Sequence, residues 1–171
     1  MFRRLRETGP VLLVPGAWLF IIFAHTTGAN EQVLLIAHVI ITALLVSFVG
    51  LSWAEMETGV LRVWRTVILL GIPITATAVL ELWLDPMGLP LLEITLAGWM
   101  LLPAVALART GPMLPIAVSG VIATVGGGIA MFGAILYGAG WYLSVPRLMV
   151  AALAIVGLGQ TMGIADAVYR Y

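Results

Sequence analysis

Six ionisable side chains, Glu81, Asp85, Glu93, His25, His38 and Arg147, sit in stretches that are otherwise apolar enough to lie in lipid. Carboxylates, imidazoles and a guanidinium can carry protons, pair with ions or hold a metal. Inside a bilayer each is costly, so it faces a partner or a water-filled cavity, and each is a candidate site residue by default. Glu81 and Asp85 are four apart and share a helix face. Glu93 falls about one turn inside the next apolar stretch, and His25, His38 and Arg147 are expected at a similar depth. Thr75, Thr77, Gln160 and Asp166 add polar groups further along the apolar runs. Together with Glu81, Glu93 and Arg147 they are the residues expected to line a solute or ion pathway. His25 and His38 admit a second chemistry, a haem or a divalent metal held between two imidazoles and completed by a carboxylate. Nothing in the sequence requires a cofactor.

The elements that position these groups follow from composition. The chain has 171 residues, of which 62% are hydrophobic and 9% charged, and its mean hydropathy is +1.13. A soluble domain carries about 25% charged residues, and a fold of this size could not hide so much apolar surface from water. Lipid is therefore the solvent. Six stretches, about 10–27, 33–53, 63–84, 90–108, 114–140 and 147–168, approach or exceed the ~20 residues a helix needs to cross a bilayer. They are continuous rather than alternating, which predicts helices and not barrel strands. Turn chemistry separates most of them: TTGANEQ, DPMGLP, RTGPM and SVP. The expectation is an all-α polytopic integral membrane protein, one transmembrane domain over residues 1–171. MFRRLRE reads as the basic flank of an uncleaved first span, because no small-residue cleavage site follows it.

Arginine placement predicts orientation. With both termini in the cytoplasm, Arg3, Arg4, Arg6, Arg62, Arg65, Arg109 and Arg170 all fall at cytoplasmic ends, seven of the eight arginines. Arg147 alone lands on the outer side. The expected location is the cytoplasmic membrane.

A repeat accounts for that exception. Gly16-Ala17-Trp18 in the first span parallels Ala97-Gly98-Trp99 in the fourth. Arg62 and Glu81 in the third span match Arg147 and Asp166 in the sixth, each acid 19 residues after its arginine. These marks align residues 10–84 with 89–170. Each unit holds three spans, so the second must run upside down, which is the inverted plan of many transporters.

Packing signals are dense. Gly120, Thr124 and Gly128 fall four apart in the fifth span, and Gly159 and Gly163 form a small-xxx-small pair in the sixth. The run Gly126 to Gly128 admits a local unwinding of the helix. Prolines 15, 73 and 103 lie inside spans, where each frees a carbonyl.

Several function classes are excluded or unsupported. There is no cysteine, hence no disulfide framework or thiolate metal site. There is no lysine, hence no Schiff-base chemistry and no phosphate loop ending in lysine. Zero net charge argues against nucleic acid. No zincin, intramembrane aspartyl or serine-elbow motif occurs, and Ser119-Gly120 only loosely suggests a membrane serine nucleophile. The expected function is a small-solute or ion transporter or channel. The alternatives are an accessory subunit of a larger membrane complex or homo-oligomer, and a haem- or metal-binding redox subunit through His25 and His38.

Overall fold

The computed structural model describes residues 2–84 and 90–170, with side chains described over 11–84 and 90–169. Asp85 lies outside the described residues. Arg3, Arg4, Arg6 and Arg170 belong to stretches whose side chains are not described.

Six long helices make up the described chain: α1 Phe2–Thr27, α2 Glu31–Ser52, α3 Gly59–Leu84, α4 Leu91–Thr110, α5 Ala117–Tyr142 and α6 Pro146–Arg170. Short 3-10 turns, Trp53–Met56 and Gly111–Met113, follow α2 and α4. Five of the six are long and apolar enough to cross a membrane, and Val11–Thr27 of α1 is a shorter apolar stretch. A 26-residue helix such as α3 is about 39 Å long at ~1.5 Å per residue, more than the ~30 Å hydrocarbon core. Every backbone polar group in lipid must be satisfied within the chain, and helices do this locally. The chain is thus a multi-pass helical membrane protein. Pro73 and Pro103 are accommodated inside α3 and α4. The glycine run 126–128 leaves α5 unbroken, so the local unwinding it was expected to admit does not occur.

The connections stop the helices by identifiable means. Gly28 takes a left-handed φ of +67°, and its amide closes on Ala24 at 3.1 Å. Asn30 then caps α2, its side chain accepting the Gln32 amide at 2.7 Å. Between α5 and α6, Ser144 sits at φ +56°. Its amide bonds the Trp141 carbonyl at 3.1 Å, and that of Val145 bonds Gly140 at 2.8 Å. This is a Schellman turn with a serine where glycine is commoner.

The described residues form two compact units: residues 2–28 with 103–170, and residues 29–84 with 90–102. In the first, α1, α5, α6 and the end of α4 pack around small residues, among them Ala104, Ala123, Ala130, Ala152 and Val156. A Cβ built on Gly126 would lie 2.6 Å from the Gly159 carbonyl oxygen, and one on Gly159 would lie 2.6 Å from that of Gly126. Here α5 and α6 touch backbone to backbone. In the second, α2, α3 and the start of α4 enclose Val49, Val67, Ala78 and Met100. Large apolar side chains remain exposed outside, Val33, Ile36, Ile40 and Leu44 along α2 being examples, as a lipid-facing surface requires.

Candidate functional site

In the first unit α1 runs antiparallel to α6, and Trp18 joins them. Its indole N–H donates to the Gln160 side-chain oxygen at 3.1 Å. Its ring lies on Gly157, where a Cβ would meet the Trp18 Cβ at 2.9 Å. Both Trp18 and Gln160 are buried. Buried in lipid, the indole and the amide each need a partner, and α6 supplies a bare patch for the ring three residues from the acceptor.

Towards the end of α1, His25 is fixed at both ring nitrogens. Nδ1 lies 3.0 Å from the Ile21 carbonyl, which can only accept, so Nδ1 carries a proton. In the neutral ring Nε2 is then an acceptor, and the Tyr137 hydroxyl of α5 donates to it at 2.9 Å. The two rings meet edge to face, centroids 5.9 Å apart. Beside them His25, Thr26, Pro146, Arg147 and Val150 line an open groove of about 360 Å³. Arg147, on the first turn of α6, makes no ion pair among the described residues.

The second unit repeats the Trp18 arrangement with different chemistry. Trp99 of α4 donates its indole N–H to Thr75 Oγ1 of α3 at 2.9 Å. Its ring covers Gly71, where a Cβ would lie 2.7 Å from the ring. Thr75, fully buried, donates in turn to the Gly71 carbonyl at 2.8 Å. Thr77 and Thr95 both donate to the Ile74 carbonyl at 2.7 Å, and their oxygens lie 3.3 Å apart. Glu81 accepts the Leu92 amide, so an acid near the end of α3 caps the first turn of α4. Glu93 is exposed in that same turn, where a carboxylate suits the helix dipole. His38 bonds the Leu34 carbonyl through Nδ1 at 2.8 Å.

The predicted pathway residues therefore divide. Gln160, Thr75, Thr77 and Glu81 are engaged at helix–helix joints within one unit or the other, while Glu93 and Arg147 are exposed and Asp166 is half-buried near the end of α6. Of the six ionisable residues that open the sequence reading, His25 and Arg147 meet in one groove. Among the described residues no group of three or more His, Asp or Glu is placed to hold a metal, and ligation through His25 Nε2 would displace Tyr137. Ser119 is buried with no hydrogen-bond partner for its hydroxyl. It lies 18 residues before Tyr137 on the same helix, about 27 Å away, so the His25 that bonds Tyr137 cannot serve it as a base.

The packing glycines also divide. Successive residues on a helix point about 100° apart, so three in a row cannot share a face. Gly126 meets α6, Gly127 meets the α4 backbone at Ala104 and Ala108, and Gly128 is exposed with nothing near it. Gly120 packs on Gly111, Gly159 on α5, and Gly163 against Leu107. Sequence reasoning missed Gly127, Gly157 and the cap at Glu81. The tryptophan repeat was the available signal for Gly157, since an indole packed between helices needs a bare patch beside it.

Compared with protein-family models, with curated proteins and with solved structures, the chain gives no significant match.

Proposed function

We propose that the protein is a small-solute or ion transporter of the cytoplasmic membrane, built from two inverted three-helix halves, 10–84 and 89–170. One observation carries the reading: the Trp-on-Gly clasp occurs twice, on the two tryptophans the sequence repeat pairs, with Thr75 and Gln160 at matching positions and the two glycines one residue out of register. Trp18 of α1 clasps α6 through Gly157 and Gln160, and Trp99 of α4 clasps α3 through Gly71 and Thr75. The repeat maps α1 onto α4 and α6 onto α3, so one clasp is the image of the other. The composition of the units supports the same reading. Each joins the second and third helices of one half to the first helix, or its beginning, of the other. Inverted halves are a recurrent transporter plan. Glu93 and Asp166, one in each unit and neither fully buried, are the acids we assign to carry a cation or proton.

The test is flux in liposomes across a panel of proton and alkali-cation gradients. E93Q and D166N should each reduce flux at least tenfold while the folded yield is unchanged. The inverted plan is checked separately by introducing cysteines, which the chain lacks, at positions 30, 87 and 143. All three should label from the same face. Labelling of 30 and 143 from opposite faces overturns the inverted halves. Absence of flux across the panel overturns transport of these ions and favours a subunit role, to be sought by co-purification from native membranes.

A further inference from the structure

We infer that the groove between the end of α1 and the start of α6 binds a phosphate oxyanion, with Arg147 as its principal ligand. The inference concerns one unit and does not depend on transport.

Charge is the first argument. Arg147 is exposed and makes no ion pair among the described residues. The only acid in its unit whose side chain is described is Asp166, 19 residues further along the same helix, about 28 Å away. A guanidinium with no carboxylate beside it among the described residues is open to an external anion, and its fork of donors fits two phosphate oxygens at once.

The rest of the lining offers nothing that competes. The His25 ring turns Nδ1–H to its own helix and Nε2 to Tyr137, so it brings no free lone pair, and protonation would only add positive charge. Thr26 gives its hydroxyl proton to the Ile22 and Phe23 carbonyls. Pro146 has no amide, and Val145 already accepts the amides of Leu148 and Met149. The Arg147 amide is thus the one donor of this turn left for a ligand, at the positive end of the helix dipole.

Position is the third argument. Trp141 and Tyr142, on the preceding turn, are largely exposed. Such aromatics settle at the lipid–water boundary, the depth of headgroup phosphates. The groove, about 360 Å³, is within the ~300–1,000 Å³ of small-ligand sites.

The phosphate can come from a lipid headgroup or from solution, and one experiment separates them. Thermal unfolding of the full chain is followed with added inorganic phosphate, then with phosphatidylglycerol, against chloride at equal ionic strength and against phosphatidylcholine. At least one phosphate source should stabilise saturably beyond its control. R147Q should weaken the half-saturating concentration at least tenfold, R147K should fall between, and R109Q, away from the groove, should respond as the unaltered protein does. A response to the lipid alone assigns a headgroup, and a response to inorganic phosphate alone assigns a solute. Stabilisation equalled by the controls, or retained in full by R147Q, overturns the site.

Discussion

The two compact units solve one problem in two ways. Lipid gives helices no hydrophobic reason to associate, so they are held by close van der Waals contact or by interhelical hydrogen bonds. The unit of α1, α5 and α6 relies on close contact. The space at Gly126, Gly127 and Gly159 is taken by backbone atoms of a neighbouring helix. The unit of α2, α3 and the start of α4 relies on hydroxyls. Thr75, Thr77 and Thr95 link α3 to α4, and its glycines at 71 and 98 face side chains, Trp99 and Ile74. The tryptophan clasp is common to both, with an amide as acceptor in one and a hydroxyl in the other. Backbone contact cannot adjust to an added atom, whereas a side chain can turn aside, so the first unit should tolerate substitution less well.

The largest effect should come from G159A. Its new methyl would lie 2.6 Å from the Gly126 oxygen and 2.7 Å from the Ala130 nitrogen, both backbone, so α5 and α6 must separate. A loss of about 3 kcal/mol is expected, the upper part of the range for overpacking. G71A introduces a methyl at a similar distance from Trp99 ring carbons, and the ring can tilt, so about 1 kcal/mol is expected. Denaturant titration in detergent micelles measures both. Equal losses would show that the distinction between the units is not one of backbone contact.

The clasps come next. W18F removes the donor to Gln160, a buried amide, and W99F removes the donor to Thr75, whose hydroxyl still bonds Gly71. Interhelical hydrogen bonds in membranes average about 0.6 kcal/mol, and the smaller ring loses packing as well. We expect about 2 kcal/mol for W18F and about 1 kcal/mol for W99F. Double-mutant cycles with Q160L and T75V should give the larger coupling at Trp18. The reverse order would mean that the threonine network, not the amide, is the stronger anchor.

How far the sequence reaches can be judged from these residues. All six helices were legible, because about twenty apolar residues in a row leave the backbone no other way to satisfy itself in lipid. Trp18 and Trp99 stood out as repeat marks, yet their partners did not, since Gly157 and Gly71 are two among nineteen glycines and only packing shows which are bare on the facing side. Gly128 matched a four-residue stripe but is exposed, because spacing fixes which residues share a face without fixing where that face points. Glu81 looked like a buried acid in search of an ion. Its partner is a backbone amide eleven residues on, and amides carry no signature in a sequence. His25 and Arg147 were grouped by depth, and both line one groove, whereas their neighbour Tyr137 gave no sign of itself near the end of α5.

The smallest effect tests how each unit starts a helix. The first turn of α6 closes on itself: Val145 accepts two of its amides and Pro146 fills the first position. The first turn of α4 depends instead on a side chain from α3, the Glu81 carboxyl group that takes the Leu92 amide. Removing such a cap costs about 1 kcal/mol, so E81A should lower stability by that amount, while E81Q, which keeps an acceptor oxygen, should cost less. Hydrogen exchange supplies the local readout: the Leu92 amide should exchange faster in E81A and near the original rate in E81Q, with Leu148 and Met149 unchanged in both. If E81Q exposed Leu92 as fully as E81A, the acid's charge rather than its oxygen would hold the turn, and the start of α4 would be an electrostatic device with no counterpart in α6.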